Sequence, residues 1–153
     1  MTSRWMDSPI GGLRIRVSAD LITAINFDAH PAGQRSDHPL LDRAEVQLTE
    51  YFAGERTVFD LPLARDGSEF QQKVWSELQH IPYGETATYG EIARRLGYDS
   101  AVSRAVGSAN GSNPIPIVVP CHRVIGADGT LTGYAGGLEC KQTLLQLENP
   151  GLF

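Results

Sequence analysis

The sequence predicts an α+β fold in two parts, a small sheet-plus-helix domain over residues 1–64 and a mostly helical domain over residues 65–153. Three observations carry this. Period-two alternation is confined to residues 13–27, helical spacing with capping signals recurs from Leu40 onward, and the turn-rich "ARDG" at 64–67 separates the two regimes. A chain of 153 residues, 41% apolar and 20% charged, can bury a core in each part.

In the first part, "LRIRV" (13–17) alternates apolar and charged residues as a half-buried strand does, and "SPIGG" before it is turn-forming. "LITAINF" (21–27) is its expected hairpin partner, and residues 29–38 read as loop. From Leu40, the apolar positions Leu41, Ala44, Leu48, Tyr51 and Phe52 follow helical spacing, and Gly54 is the expected stop. "VFDLPL" (58–63) reads as an extended segment leading out.

The second part opens with a helix whose Ser68 and Gln71 form a capping box, with Phe70, Val74 and Leu78 on one face and Pro82 beyond its end. Thr88 and Glu91 repeat the capping pattern. They precede an apolar face of Ile92, Ala93 and Leu96 that ends at Gly97. The short turn "YDS" leads to the small-residue helix "AVSRAVGSAN". Two short helices around a tight turn resemble a helix-turn-helix, although such pairs are more often plain packing units than DNA readers. Val124, Ile125, the Asp128-Gly129 turn and Leu131 suggest a small hairpin, and "GYAGG" (133–137) a mobile loop. In the closing helix, Leu138, Leu144, Leu145 and Leu147 are the expected packing residues, with Glu148 at its end.

Charge decides little: the net value is −5, and within 85–125 Arg94, Arg95, Arg104 and Arg123 face Glu85, Glu91 and Asp99. The start, "MTSRWMDSPIGG", has no apolar signal core, and no apolar run is long enough for a membrane helix, so a cytoplasmic protein without membrane contact is expected. The two cysteines, Cys121 and Cys140, make no disulfide framework and suit a reducing compartment.

The chemistry concentrates in "VPCHRVI" (119–125). A lone cysteine after an apolar strand is more often a small buried hydrophobe than a catalyst. No second cysteine lies at ligand spacing, and His30, His38 and His80 are scattered, so neither metal nor cofactor is expected. The functional alternative is a nucleophile: His122 would take the thiol proton and a carboxylate such as Glu148 would steer the imidazole. That would hold the thiol pKa below the free value of ~8.5. Adjacent residues of an extended chain point to opposite faces, so Cys121–His122 contact needs a turn or a bridging water.

"IPYGETATYGEIARRLG", "SRAVGSANGSNPIPIVVPCHRVIG" and "GYAGGLECKQTLLQLE" together resemble the O6-alkylguanine-DNA alkyltransferases, or methylated-DNA–protein-cysteine methyltransferases. The likeness is strong over 68–153 and weak before it. It implies a ribonuclease-H-like N-terminal domain and a winged-helix-like C-terminal domain with a helix-turn-helix. It implies irreversible transfer of an alkyl group from O6-alkylguanine in duplex DNA, with O4-alkylthymine as a second candidate base, onto Cys121. One molecule would repair one base, as a monomer or in clusters on DNA.

By the same resemblance, His122 is the base, acting through a water, Glu148 orients it, and Asn113 braces the turn. Tyr89 would hydrogen-bond the flipped guanine, and Arg104 would fill the space that it leaves in the stack. Ala105, Gly107 and Ser108 would let the second helix approach the minor groove, with Arg123 as a further basic contact. The Cys121 and Val124 carbonyls would read the guanine amino group, while Tyr134, Ala135 and Gly136 cover the lesion. The turn "GYDSAVS" is one residue longer than the commonest family pattern, and Ala135 stands where some relatives have serine, leaving only its backbone N–H. Competing readings are a lesion-binding protein without transfer, a winged-helix regulator, and a Cys-His-Glu hydrolase.

Overall fold

A computed structural model of the chain describes residues 2–31, 33 and 35–151. They form two compact units, Met1–Arg65 and Asp66–Phe153. The fold is α+β, with a small sheet domain first and a helical domain after it. Among the described residues no helix is long and apolar enough to cross a membrane.

The first unit is an antiparallel sheet ordered β1 (Thr2–Met6), β2 (Leu13–Ser18) and β3 (Leu21–Phe27), with helix α1 (Pro39–Phe52) packed on it. Ala19 and Asp20 make the two-residue β2–β3 turn with φ 52 and 59, the left-handed geometry that matches strand twist in tight hairpins. Leu13, Ile15, Val17, Ile22 and Ile25 meet Leu41, Ala44, Leu48 and Tyr51 in the core. The segment before Arg65 is indeed extended: Ile22 N–H bonds to Pro62 O at 2.9 Å and Ala64 N–H to Ile22 O at 2.8 Å, along the β3 edge. β1 escaped the sequence reading because its pattern is broken by Arg4. That arginine is 2% exposed and is neutralised by Asp42, at 2.5 Å, and by Glu45 on α1. The expected alternation in β2 also fails at Arg14, which is buried against Asp28 at 2.9 Å.

In the second unit both capping boxes form. Ser68 and Gln71 start α2 (Glu69–Leu78), and Thr88 and Glu91 start α3 (Tyr89–Arg95). The α2 face buries Val74, Trp75 and Leu78, and Trp75 Nε1 donates to the Ala109 carbonyl at 2.8 Å, tying α2 to α4 (Ser103–Gly111). The connection from α3 to α4 passes Gly97 and then a single 3-10 turn, Ser100–Val102, capped by the Asp99 side chain.

The predicted hairpin at Val124 and Ile125 is not formed. These residues are β5 and pair in parallel with β4 (Ala87–Thr88), while Gly126 N–H closes the following turn on Thr130 O at 2.9 Å. Two-residue parallel pairing has no sequence period to announce it. Its consequence is functional: it sets the Cys121 turn beside the start of α3. The last helix, α5 (Leu138–Glu148), buries Leu144 and Leu145, but Leu138 is 48% exposed and does not pack as expected.

Candidate active site

Cys121 sits on a turn that Pro120 makes. Pro120 has φ −80 and ψ 63, an inverse γ-turn, and Cys121 N–H bonds back to Val119 O at 2.7 Å. A 3-10 turn, Cys121–Arg123, follows directly. Cys121 and His122 are therefore neighbours on a tight turn, and the opposite-face objection to an extended strand does not apply. Asn113 braces the approach, donating from Nδ2 to Val119 O at 2.9 Å and accepting Ile115 N–H at 3.0 Å. Asn110, on α4, donates to the Cys121 carbonyl at 3.3 Å. Between Asn113 and Cys121, Ile117 has φ 75, a strained value for a β-branched residue and of the kind that clusters at functional sites.

Glu148 arrives at this turn from the last position of α5. Its Oε2 lies 2.7 Å from His122 Nε2, with both side chains closed to solvent. Arg123 grips the same carboxylate with Nε at 2.8 Å and Nη2 at 3.0 Å, and gives Nη1 to the Ile81 carbonyl at 2.7 Å. Its guanidinium also lies 5.8 Å from the Tyr83 ring centroid. Burial alone would raise the Glu148 pKa, but the hydrogen bonds and charges of His122 and Arg123 overrule it and pull the carboxyl down to about 2. Burial lowers the His122 pKa against the pull of Glu148, so the imidazole is neutral. A neutral ring beside a carboxylate carries its proton on Nε2. Nδ1 is then an acceptor, buried and without a hydrogen-bond partner among the described residues.

The thiol behaves differently from the sequence expectation. Cys121 is 5% exposed, and burial pushes its pKa up, with a hydrogen bond from Asn113 and the Lys141 charge opposing this. The resting state is thus a neutral thiol with a neutral imidazole next to it, not a preformed thiolate. Lys141 was not singled out from the sequence. It is fully buried, donates to Val124 O at 2.6 Å and Thr132 O at 2.8 Å, and burial lowers its pKa to about 8. Its place seven residues before Glu148, in step with Leu144 and Leu145, was the available signal.

Tyr89 is the first residue of α3, half-buried, with its hydroxyl 2.5 Å from Thr132 Oγ1. A Cβ on Gly107 would lie 3.7 Å from the Tyr89 ring, which brings α4 alongside it. On α4, Arg104, Ala105 and Ser108 are exposed. Tyr134 is half-buried on the turn before α5, where Gly137 N–H bonds to its carbonyl at 2.9 Å, and burial pushes its hydroxyl pKa well above the usual tyrosine range. Ala135 is exposed and Gly136 half-buried on the same turn. Val124 is buried, its carbonyl taken by Lys141. Arg123, expected as a basic DNA contact, is 6% exposed, with Nε and Nη2 on Glu148 and Nη1 on the Ile81 carbonyl. It shapes the carboxylate.

Residues 69–150 match the family described as 6-O-methylguanine DNA methyltransferase, DNA binding domain, and residues 1–65 match its ribonuclease-like domain. A methylated-DNA–protein-cysteine methyltransferase of Mycolicibacterium paratuberculosis is 53% identical over 150 residues, covering 95% of this chain and 90% of the relative. The crystal structure of the Mycobacterium tuberculosis O6-methylguanine methyltransferase superposes with a TM-score of 0.88 at 47% identity, over 97% of this chain and 93% of that one. A structure of the Mycobacterium tuberculosis OGT in complex with DNA gives 0.88 at 46% identity, over 98% and 94%.

Proposed function

The chain belongs to the 6-O-methylguanine DNA methyltransferase family, and from that premise we propose that it repairs alkylated DNA by moving the alkyl group onto Cys121. The observation that carries the assignment is the His122–Glu148 hydrogen bond beside the Cys121 turn. With Nε2–H committed to Glu148, Nδ1 is the base. It takes the thiol proton through a water, and the carboxylate stabilises the imidazolium that results. The sulfur then attacks the alkyl carbon in line. The S–C bond forms, the C–O6 bond breaks with its electron pair going to the base, and Tyr89 supports the departing guanine with its hydroxyl. The thioether is a poor leaving group, so the protein is not regenerated.

The lesion cannot be reached inside a duplex, and the nucleotide must leave the stack at a cost of a few kcal/mol. Arg104, exposed on α4, fills the gap, and Ala105, Gly107 and Ser108 keep that helix slim against the minor groove. The flipped base is read by the Cys121 and Val124 carbonyls. In the free protein the Cys121 carbonyl accepts Val124 N–H and Asn110 Nδ2, and the Val124 carbonyl accepts Lys141 Nζ, so the guanine amino group must share or displace one of these donors. Tyr134, Ala135 and Gly136 close over the alkyl group. Because Cys121 must stay a thiol, the reading carries with it a reducing compartment, the cytoplasm.

Mixing a small amount of protein with excess duplex containing O6-methylguanine tests this. Transfer should stop at one methyl per protein molecule. Continued turnover, or tight lesion binding with no transfer, would overturn it.

A further inference from the structure

A groove of about 560 Å³ runs beside Tyr89, bordered by Gly90, Arg94, Ser100, Ser103 and Ala127. A Cβ placed on Gly90 would come within 3.4 Å of Arg94 Nη1 and 3.5 Å of Ser103 Oγ, so the guanidinium folds back over the start of α3 toward the turn that precedes α4. Among the described residues the Arg94 side chain makes no hydrogen bond and no ion pair, its carbonyl accepting Gly97 N–H at 2.9 Å. The carboxylates nearby are engaged: Glu91 accepts Thr88 N–H at 3.2 Å and stands 3.9 Å from Arg95 Nη2, and Asp99 accepts Ala101 N–H at 2.9 Å. The wall facing Arg94 is the 3-10 turn Ser100–Val102 with Ser103, which is how the lengthened "GYDSAVS" turn folds. An exposed, unpaired fork of donors in a groove walled by serines suits a tetrahedral dianion or monoanion of oxygen, and it borders the residue beside which an extruded nucleotide must sit.

We propose that Arg94 binds a backbone phosphate of the DNA strand that carries the flipped nucleotide, in the groove between Gly90 and the Ser100–Ser103 turn. This rests on the DNA-repair reading of the same face. A phosphate contact positions the strand without reading sequence, as a lesion searcher requires. Arg95, one residue on, is directed to Glu91 and has no part in it.

The test uses the full-length chain carrying Cys121→Ser, so that bound DNA is not consumed. Its affinity for a labelled duplex containing O6-methylguanine is measured over a series of salt concentrations. Each phosphate neutralised on duplex DNA contributes about −0.9 to the slope of log K against log salt. Adding Arg94→Ala should make the slope shallower by about one, whereas Arg94→Lys and Arg95→Ala should keep it, with thermal melting showing every variant folded. An unchanged slope in Arg94→Ala overturns the inference and leaves the repair reading intact. So does an equal loss in Arg95→Ala, which would mean a diffuse field rather than a groove. A parent that binds no DNA at any salt would overturn both.

Discussion

His122 Nε2 and Glu148 Oε2 are 2.7 Å apart, in a hydrogen bond closed to solvent on both sides. Because the same carboxylate is forked by Arg123, it has two duties, to stabilise a protonated base and to neutralise a buried cation.

Glu148→Gln removes the charge that both duties use, and rate and stability read them out separately. The amide keeps the size but loses the charge that favours a protonated His122, so single-turnover transfer from the free base O6-benzylguanine should slow at least about tenfold, ~1.4 kcal/mol. The variant should also lose about 3–5 kcal/mol of stability, because Arg123 is left buried without its counter-charge. Urea denaturation and stopped reactions on the same sample check both. Lost stability with an unchanged rate would mean that Glu148 serves only Arg123.

The pH profile follows from the directions of the shifts. His122 must be neutral to accept the proton, and its pKa is lowered from the ordinary value of about 6.5, so acid inhibits only below that value. The Cys121 pKa is raised, so no thiolate titration lifts the rate near the free-thiol value of ~8.5. Single-turnover rates should therefore show no rise from about pH 6.5 to about 8.5, and should fall off only as Lys141 loses its charge near pH 8. A steady rise across that window would show a thiolate forming by itself, with His122 outside the proton path.

Lys141 couples the Val124 and Thr132 backbone to the thiol. In Lys141→Met the Val124 and Thr132 carbonyls lose a shared donor, at a cost of about 1–3 kcal/mol, and Cys121 loses a nearby positive charge. The pH midpoint of Cys121 alkylation by a small iodoacetamide reagent should move further up than in the wild type. An identical midpoint would leave Lys141 a structural strut.

Arg104→Ala should slow repair of lesion-bearing duplex far more than reaction with O6-benzylguanine, since only the duplex must give up stacking. Equal losses on the two substrates would assign Arg104 to the fold.

What was legible in the sequence was local. Ser68 with Gln71 and Thr88 with Glu91 announce helix starts through contacts three residues apart, and both form. What was not legible was long-range charge burial. Arg4, Arg14, Arg123 and Lys141 look like solvated residues, and each is buried because a partner many positions away satisfies it. The same blindness hid β1 and the Arg123–Glu148 pair. In the site itself, the order of Cys121, His122 and Glu148 suggested a proton path. The direction of the thiol shift depended on burial, which spacing cannot report.

The most direct test is the mass of tryptic peptides after reaction with O6-methylguanine duplex. Cleavage after Arg104, Arg123 and Lys141 leaves Cys121 on residues 105–123 and Cys140 on residues 124–141. The peptide 105–123 should carry one added methyl and 124–141 none, and Cys121→Ser should abolish the gain while Cys140→Ala leaves it in place. A methyl on 124–141, or transfer that survives Cys121→Ser, would contradict the assignment of Cys121 as the acceptor.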